Sequence, residues 1–133
     1  MPKSVLIVDD NQLVREVVRF FFGTLADWQV GGEAADGVEA IQKAGELKPD
    51  LILLDFSMPK MNGLEAASVL KKMLPNVHII AFTMFADALG SKLSSAVDLV
   101  VPKAEGLTVL ARAVQSLVGS TNEAPSGALT PWG

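Results

Sequence analysis

Three carboxylates, a hydroxyl and an ammonium stand at, or just past, the ends of short apolar runs in this chain of 133 residues. Asp9 and Asp10 follow Val5-Leu6-Ile7-Val8, and Asp55 follows Leu51-Ile52-Leu53-Leu54. Thr83 follows His78-Ile79-Ile80-Ala81-Phe82, and Lys103 follows Leu99-Val100-Val101-Pro102. Short continuous apolar runs read as strands buried on both faces. In an open parallel α/β sheet the ligand crevice lies at the carboxyl ends of the strands. A single aspartate at a strand end is most often a turn or cap residue. Five such groups delivered to one edge by strand register make a site.

Carboxylates crowded together repel, and one of them is driven to protonate unless a cation joins them. All-oxygen ligands select a hard ion, Mg²⁺ or Mn²⁺. Mg²⁺ uses one or two carboxylates, keeps waters and leaves positions for phosphate oxygens. The set therefore suits the handling of a phosphoryl group. Asp55, after the central apolar run, is the candidate nucleophile, because carboxylates form aspartyl-phosphate intermediates. Lys103 offers a positive charge to phosphoryl oxygens, and Thr83 a hydroxyl donor. Asp10 reads as a direct metal ligand, Asp9 as a ligand through water, and the Ser57 backbone carbonyl as a third protein ligand.

Strand and helix signals alternate five times, which predicts an α/β fold with a parallel sheet and helices on both faces. Asn11 is placed to cap the first helix, whose apolar positions are Leu13, Val14, Val17, Val18, Phe21 and Leu25. Trp28–Glu33 is the weakest strand, and Gly31-Gly32 mark it as an edge or bulged one. Val38, Ala40, Ile41, Ala44 and Leu47 give the second helix its apolar face, and Lys48-Pro49-Asp50 stops it. Asn62 and Glu65 read as a capping box for the third helix, which carries Leu64, Ala67, Leu70 and Leu74 inward and ends at Pro75-Asn76. Val77–Phe82 forms the fourth strand and Asp98–Val101 the fifth. A serine-rich fourth helix over roughly Phe85–Ser95 is the weakest helix former. The last helix uses Leu107, Leu110, Ala111, Val114, Leu117 and Val118. Residues 1–119 thus read as one domain. Residues 120–133, rich in Ser, Thr, Pro, Gly and Ala, read as a flexible tail.

Composition narrows the function. Half the residues are hydrophobic, which fits a packed domain, yet no apolar run approaches the ~20 residues of a membrane helix. Cysteine is absent, which excludes disulfides, thiolate metal sites and a cysteine nucleophile and fits a cytoplasmic protein. With 11 basic and 15 acidic residues the net charge is −4, so the basic footprint of direct nucleic-acid binding is missing. His78 is the only histidine. It opens a predicted strand at the edge opposite the acidic groups and is expected there as a partly exposed residue without catalytic work.

The chain resembles the receiver domain of two-component response regulators. The resemblance is carried by Val5-Leu6-Ile7-Val8-Asp9-Asp10-Asn11, by Ala34-Ala35-Asp36-Gly37-Val38-Glu39-Ala40, and by Leu53-Leu54-Asp55-Phe56-Ser57-Met58-Pro59-Lys60-Met61-Asn62-Gly63, with Thr83 and Lys103 completing the set. It covers roughly residues 3–118. The wording of residues 57–63 is nearest to receivers that carry a helix-turn-helix domain, the nitrate and nodulation regulators. The resemblance implies a flavodoxin-like (βα)5 fold with a five-stranded parallel sheet of order 2-1-3-4-5. It implies that Asp55 accepts a phosphoryl group from a histidine kinase or a histidine phosphotransfer protein. It also implies that Asp9 and Asp10 hold Mg²⁺, that Thr83 is the switch hydroxyl and that Lys103 pairs with the phosphoryl group. The implied readout surface is the face of the fourth helix, fifth strand and fifth helix, meeting a downstream protein as a monomer or a phosphorylation-dependent dimer. No membrane or direct nucleic-acid partner is expected, nor any enzymatic activity beyond the domain's own phosphorylation and dephosphorylation.

Some residues depart from the family pattern. Val100 stands where a Tyr or Phe is common, three residues before the lysine. Pro102-Lys103-Ala104 inverts the commoner lysine-proline order; a cis peptide after Lys103, as the family implies, would be a costly non-proline one. The stretch from Thr83 to Lys103 is slightly short for the family. Leu129-Thr130-Pro131 resembles the opening of a helix-turn-helix domain, so the sequence reads either as a receiver that stands alone or as a shortened piece of a longer regulator; Trp132-Gly133 departs from the usual continuation, which favours the first. Two other readings compete. A phosphatase of the haloacid-dehalogenase type needs a second aspartate two residues after its nucleophile, and position 57 is serine. A receiver-like interaction module that no longer needs phosphate is motivated by Val100.

Overall fold

The computed structural model describes residues 2–56, 63–84 and 95–119, the last two without side-chain detail. Five strands are found: β1 (Lys3–Val8), β2 (Trp28–Ala34), β3 (Leu51–Leu54), β4 (His78–Thr83) and β5 (Leu99–Pro102). They form one parallel sheet of order β2-β1-β3-β4-β5. Among the described residues there are four α-helices: α1 (Gln12–Gly23), α2 (Gly37–Leu47) and α3 (Gly63–Met73) between strands, and α4 (Gly106–Val114) after β5. A short 3₁₀ turn over Lys103–Glu105 leads into α4, and a wider turn over Gln115–Gly119 leaves it. This is the flavodoxin-like fold expected. Residues 85–94 of the serine-rich helix expected over 85–95, the tail from 120 and the Asn62 cap lie outside the described residues, and Ser95 itself stands in a turn.

Alternate side chains of each strand enter opposite layers, because the strand period is two. Leu6, Val8, Ile52, Leu54 and Ile79 pack with Ala40, Ala44, Ala66, Ala67 and Leu70 under α2 and α3. Val5, Ile7, Leu51, Leu53, Ile80 and Phe82 pack with Val18, Phe22, Leu110 and Val114 under α1 and α4. The central strand β3 is buried at all four positions. The alanines of α2 and α3 let these helices lie close to the sheet.

Helix ends follow their sequence signals. Asn11 caps α1, its Oδ1 accepting from the Leu13 and Val14 amides at 2.9 and 3.2 Å. Asp36 caps α2 by accepting from the Glu39 amide at 2.8 Å, and Glu39 Oε1 reaches back to the Ala35 amide at 2.8 Å. Lys48, in the left-handed region at φ 48°, closes α2 ahead of Pro49. The expected weak edge strand is β2, and its register with β1 slips between Val5 and Leu6, so that Gly31 is the bulged residue. A Cβ on Gly32 would stand 2.8 Å from the Leu47 side chain, which is why α2 can close over this strand.

Several positions differ from expectation. On α1, Leu13 and Val17 are 67% and 46% exposed, while Phe22 is fully buried. The helix carries two overlapping apolar stripes, and spacing alone cannot say which one faces the sheet. Ion pairs of Arg15 and Arg19 with Glu33 of β2 accompany the rotation that turns Val18 and Phe22 inward. Val38 and Leu47 on α2 are likewise exposed, with Ala40 and Ala44 inside. Ala113 of α4 is buried, where Ala111 was the expected contact. β4 and β5 each begin and end one residue later than expected. The described residues contain no cis peptide, so the bond after Lys103 is trans. His78 is half-exposed at the start of β4, at the edge away from the carboxylates, with Nδ1 3.9 Å from Asp98 Oδ2.

Candidate functional site

The strand order reverses between β1 and β3, since the chain goes outward to β2 and returns to the other side of β1. That is the place where a doubly wound sheet opens a crevice at its carboxyl edge. Val8 of β1 pairs in register with Leu54 of β3, so Asp9 and Asp55 step off the sheet side by side. The Asp55 amide donates to the Val8 carbonyl at 3.0 Å, and the Asp9 amide to the Ala34 carbonyl at 3.0 Å. On the other side Thr83 pairs with Pro102, which delivers Lys103 one residue beyond the same edge.

The side chains meet as the register dictates. Lys103 Nζ lies 2.6 Å from Asp9 Oδ2 and 3.6 Å from Asp55 Oδ2. Asp9, Asp55 and Thr83 are all buried, and Asp10 is exposed at the rim. Asp9, Asp10 and Asp55 each offer a carboxylate oxygen within 4.8 Å of the others. Three carboxylates facing one ammonium leave an excess of negative charge in a pocket where two of the three are buried. An all-oxygen donor set with that charge and spacing fits a small divalent cation. Phe82 places its ring centroid 6.0 Å from Lys103 Nζ. Lys103, only 12% exposed, is therefore confined between an aromatic ring and two carboxylates.

The structure thus brings together Asp9, Asp10, Asp55 and Lys103, and sets Thr83 on the neighbouring strand end. Ser57 lies outside the described residues. Two features around the site were given no role from the sequence. Arg15 Nη1 donates to the Asp9 carbonyl at 2.7 Å while Arg15 Nε pairs with Glu33 at 3.1 Å. The sign and spacing of Arg15 and Arg19 on one helix, with an acid at the end of β2, were the available signal. Gly63 packs against Phe56, and a Cβ there would stand 2.4 Å from the ring and 2.8 Å from the Phe56 Cα. Only glycine lets α3 start so close behind Asp55.

The family model for the response regulator receiver domain matches residues 5–115. This chain belongs to the response-regulator receiver family. Among curated relatives, the response regulator protein VraR of Staphylococcus saprophyticus is 39% identical over 117 residues, covering 86% of this chain and 56% of VraR. The transcriptional regulatory protein YhcZ of Bacillus subtilis is 45% identical over 84 residues, covering 63% of this chain and 39% of YhcZ. The receiver described here therefore spans about half the length of these relatives. Among solved structures, TrrA of Thermotoga maritima, in complex with Mg²⁺ and beryllium fluoride, superposes with a TM-score of 0.80 at 32% identity, covering 87% of this chain and 99% of TrrA. A LuxR-family response regulator from Aurantimonas gives 0.81 at 28% identity, covering 88% of this receiver and 85% of that chain. The LuxR-family match accords with the helix-turn-helix type that residues 57–63 of this receiver resemble. Among its described residues no helix is long and apolar enough to cross a membrane.

Proposed function

We propose that this receiver accepts a phosphoryl group on Asp55 from a phosphohistidine donor, a histidine kinase or a histidine phosphotransfer protein. The observation that carries this reading is the meeting of Lys103 with the buried carboxylates of Asp9 and Asp55 at the carboxyl edge. An Asp55 oxygen attacks phosphorus and the P–N bond to the donor imidazole breaks. The electron pair of that bond returns to the ring nitrogen, which takes a proton from solvent. Lys103 balances charge on the phosphoryl oxygens, and the Thr83 hydroxyl donates to one of them. Asp10 and Asp55 would hold Mg²⁺ directly, Asp9 through water, with the Ser57 carbonyl as a further ligand. The ion would neutralise phosphoryl charge during transfer.

The new doubly charged group then draws Thr83 toward the pocket. The output is a change on the face made by the segment after Thr83, β5 and α4, read by a downstream protein. In this reading residues 1–119 act as the receiver unit, with 120–133 as a tail, and the protein works in the cytoplasm. It turns over no outside substrate, acting only in its own phosphorylation and dephosphorylation. A second reading, an interaction module independent of phosphate, draws on Val100. This side chain lies opposite Ala81 in β5 and is smaller than the aromatic common in the family.

The two readings separate by intact mass. With acetyl phosphate and Mg²⁺, the wild type is expected to gain one phosphoryl group, and Asp55→Asn none. An unmodified wild type under those conditions would leave the phosphate-independent module as the better account.

A further inference from the structure

We infer that Arg15, braced by Glu33, is a positioning residue for the acidic loop: its guanidinium holds the Asp9 carbonyl and thereby sets where the Asp10 Cα stands, from which the Asp10 carboxylate reaches the cation site. This rests on the proposed role of Asp10 as a cation ligand.

The loop between β1 and α1 is held unevenly. The polar groups of Asp9 all have partners. Its amide donates to Ala34, Oδ1 accepts from the Asn11 amide at 2.9 Å, Oδ2 meets Lys103 at 2.6 Å, and its carbonyl accepts from Arg15 Nη1 at 2.7 Å. Asp10 is exposed, and among the described residues its carboxylate makes no hydrogen bond or ion pair. The point from which it reaches out is therefore set by the backbone alone. The peptide joining Asp9 to Asp10 is planar, so fixing the Asp9 carbonyl oxygen also fixes the Asp10 nitrogen and Cα.

Arg15 is suited to that task and a lysine is not. The guanidinium is a rigid planar fork. One edge of it, Nε, is seated on Glu33 Oε1 at 3.1 Å, and another, Nη1, on the Asp9 carbonyl. With two seats on different partners the plane cannot swing. Glu33 is itself held at the end of β2: Arg19 binds its other oxygen, and Lys43 Nζ donates to its backbone carbonyl. The side chains of Arg15 and Glu33 are only 17% and 21% exposed, so solvent screens the pair less than a surface one. The edge strand, the first helix and the acidic loop are thus joined through one guanidinium.

The competing account is that Arg15 merely ties α1 to β2. The two accounts differ in Mg²⁺ affinity. Calorimetric titration of MgCl₂ into the full chain, well below the melting temperature, should give a Kd about tenfold weaker for Arg15→Ala than for wild type, the usual scale for losing a group that orients a ligand. Arg15→Lys should fall between them, since an ammonium keeps the charge but not both seats. Saturating Mg²⁺ should restore phosphorylation of Arg15→Ala by acetyl phosphate, because Asp55 and Lys103 are untouched. If Arg15→Ala does not fold, Arg15→Lys and Glu33→Gln carry the test, each expected to weaken Mg²⁺ binding by at least twofold. Variants with lowered Tm but wild-type Mg²⁺ affinity would overturn the positioning role and leave the functional reading intact. A wild type that binds no Mg²⁺ would overturn both.

Discussion

At the scale of single residues, the site trades stability for charge. Asp9, Asp10 and Asp55 crowd oxygens within 4.8 Å of one another, and Lys103 supplies one compensating charge among them. Functional sites commonly carry such costs, and relieving them stabilises the empty protein. Asp10→Ala is therefore expected to raise Tm in EDTA, because it removes like-charge repulsion at an exposed position that makes no hydrogen bond to other described residues. The same variant should weaken Mg²⁺ binding by tenfold or more in calorimetric titration. A variant with unchanged Mg²⁺ affinity would remove Asp10 from the ligand set. These four residues were legible in the sequence because each sits at the end of an apolar run. Arg15 and Glu33 were not, because nothing in a linear pattern says that a helix residue will reach back to the carbonyl of Asp9.

At the scale of elements, burial separates side chains that periodicity treats alike. Phe22 is fully buried between α1 and the sheet, making edge-to-face contacts with Phe21 and Trp28 at 5.2 and 5.5 Å. Phe20, two residues earlier, is 76% exposed. Phe22→Ala should cost about 3–5 kcal/mol in denaturant unfolding. Phe20→Ser should stay within about 0.5 kcal/mol of wild type. Equal costs would mean that α1 is rotated from the orientation described. The start of α2 has a pH signature. The hydrogen bond from the Ala35 amide holds the Glu39 carboxyl below its ordinary 4.5, helped by Lys43 and opposed by partial burial. A lowered folded pKa contributes stability above the unfolded value, lost as pH falls through the folded one. Wild type should therefore exceed Glu39→Gln in stability at neutral pH, and the two should converge in acid. Denaturant midpoints across that range would show it, and a gap that persists at the acid end would argue against the cap.

At the scale of the molecule, the register that builds the pocket also ties it to β5 and to the turn that leads into α4. Thr83 ends β4 opposite Pro102 of β5, and Lys103 opens the turn that leads into α4. A group that draws on Thr83 and Lys103 together therefore pulls on two adjacent strand ends and on the helix behind them. Beryllium fluoride with Mg²⁺ should perturb amide NMR shifts most across residues 83–103 and along the start of α4. Shifts confined to the neighbourhood of Asp55 would mean that the pocket fills without moving those elements, the outcome that Val100 would favour.

The fold class, the alternation of elements and four of the site's side chains could be read from the sequence, because strand burial and helix capping are local and leave their mark in short stretches of chain. Which apolar stripe of α1 faces inward was decided only by the tertiary structure, since two stripes of similar hydrophobicity compete and the outcome accompanies ion pairs to a strand that follows in the chain. The distances among Asp9, Asp55 and Lys103 were likewise a tertiary matter. They follow from how β1, β3, β4 and β5 align, and alignment between strands depends on long-range packing that no single segment encodes.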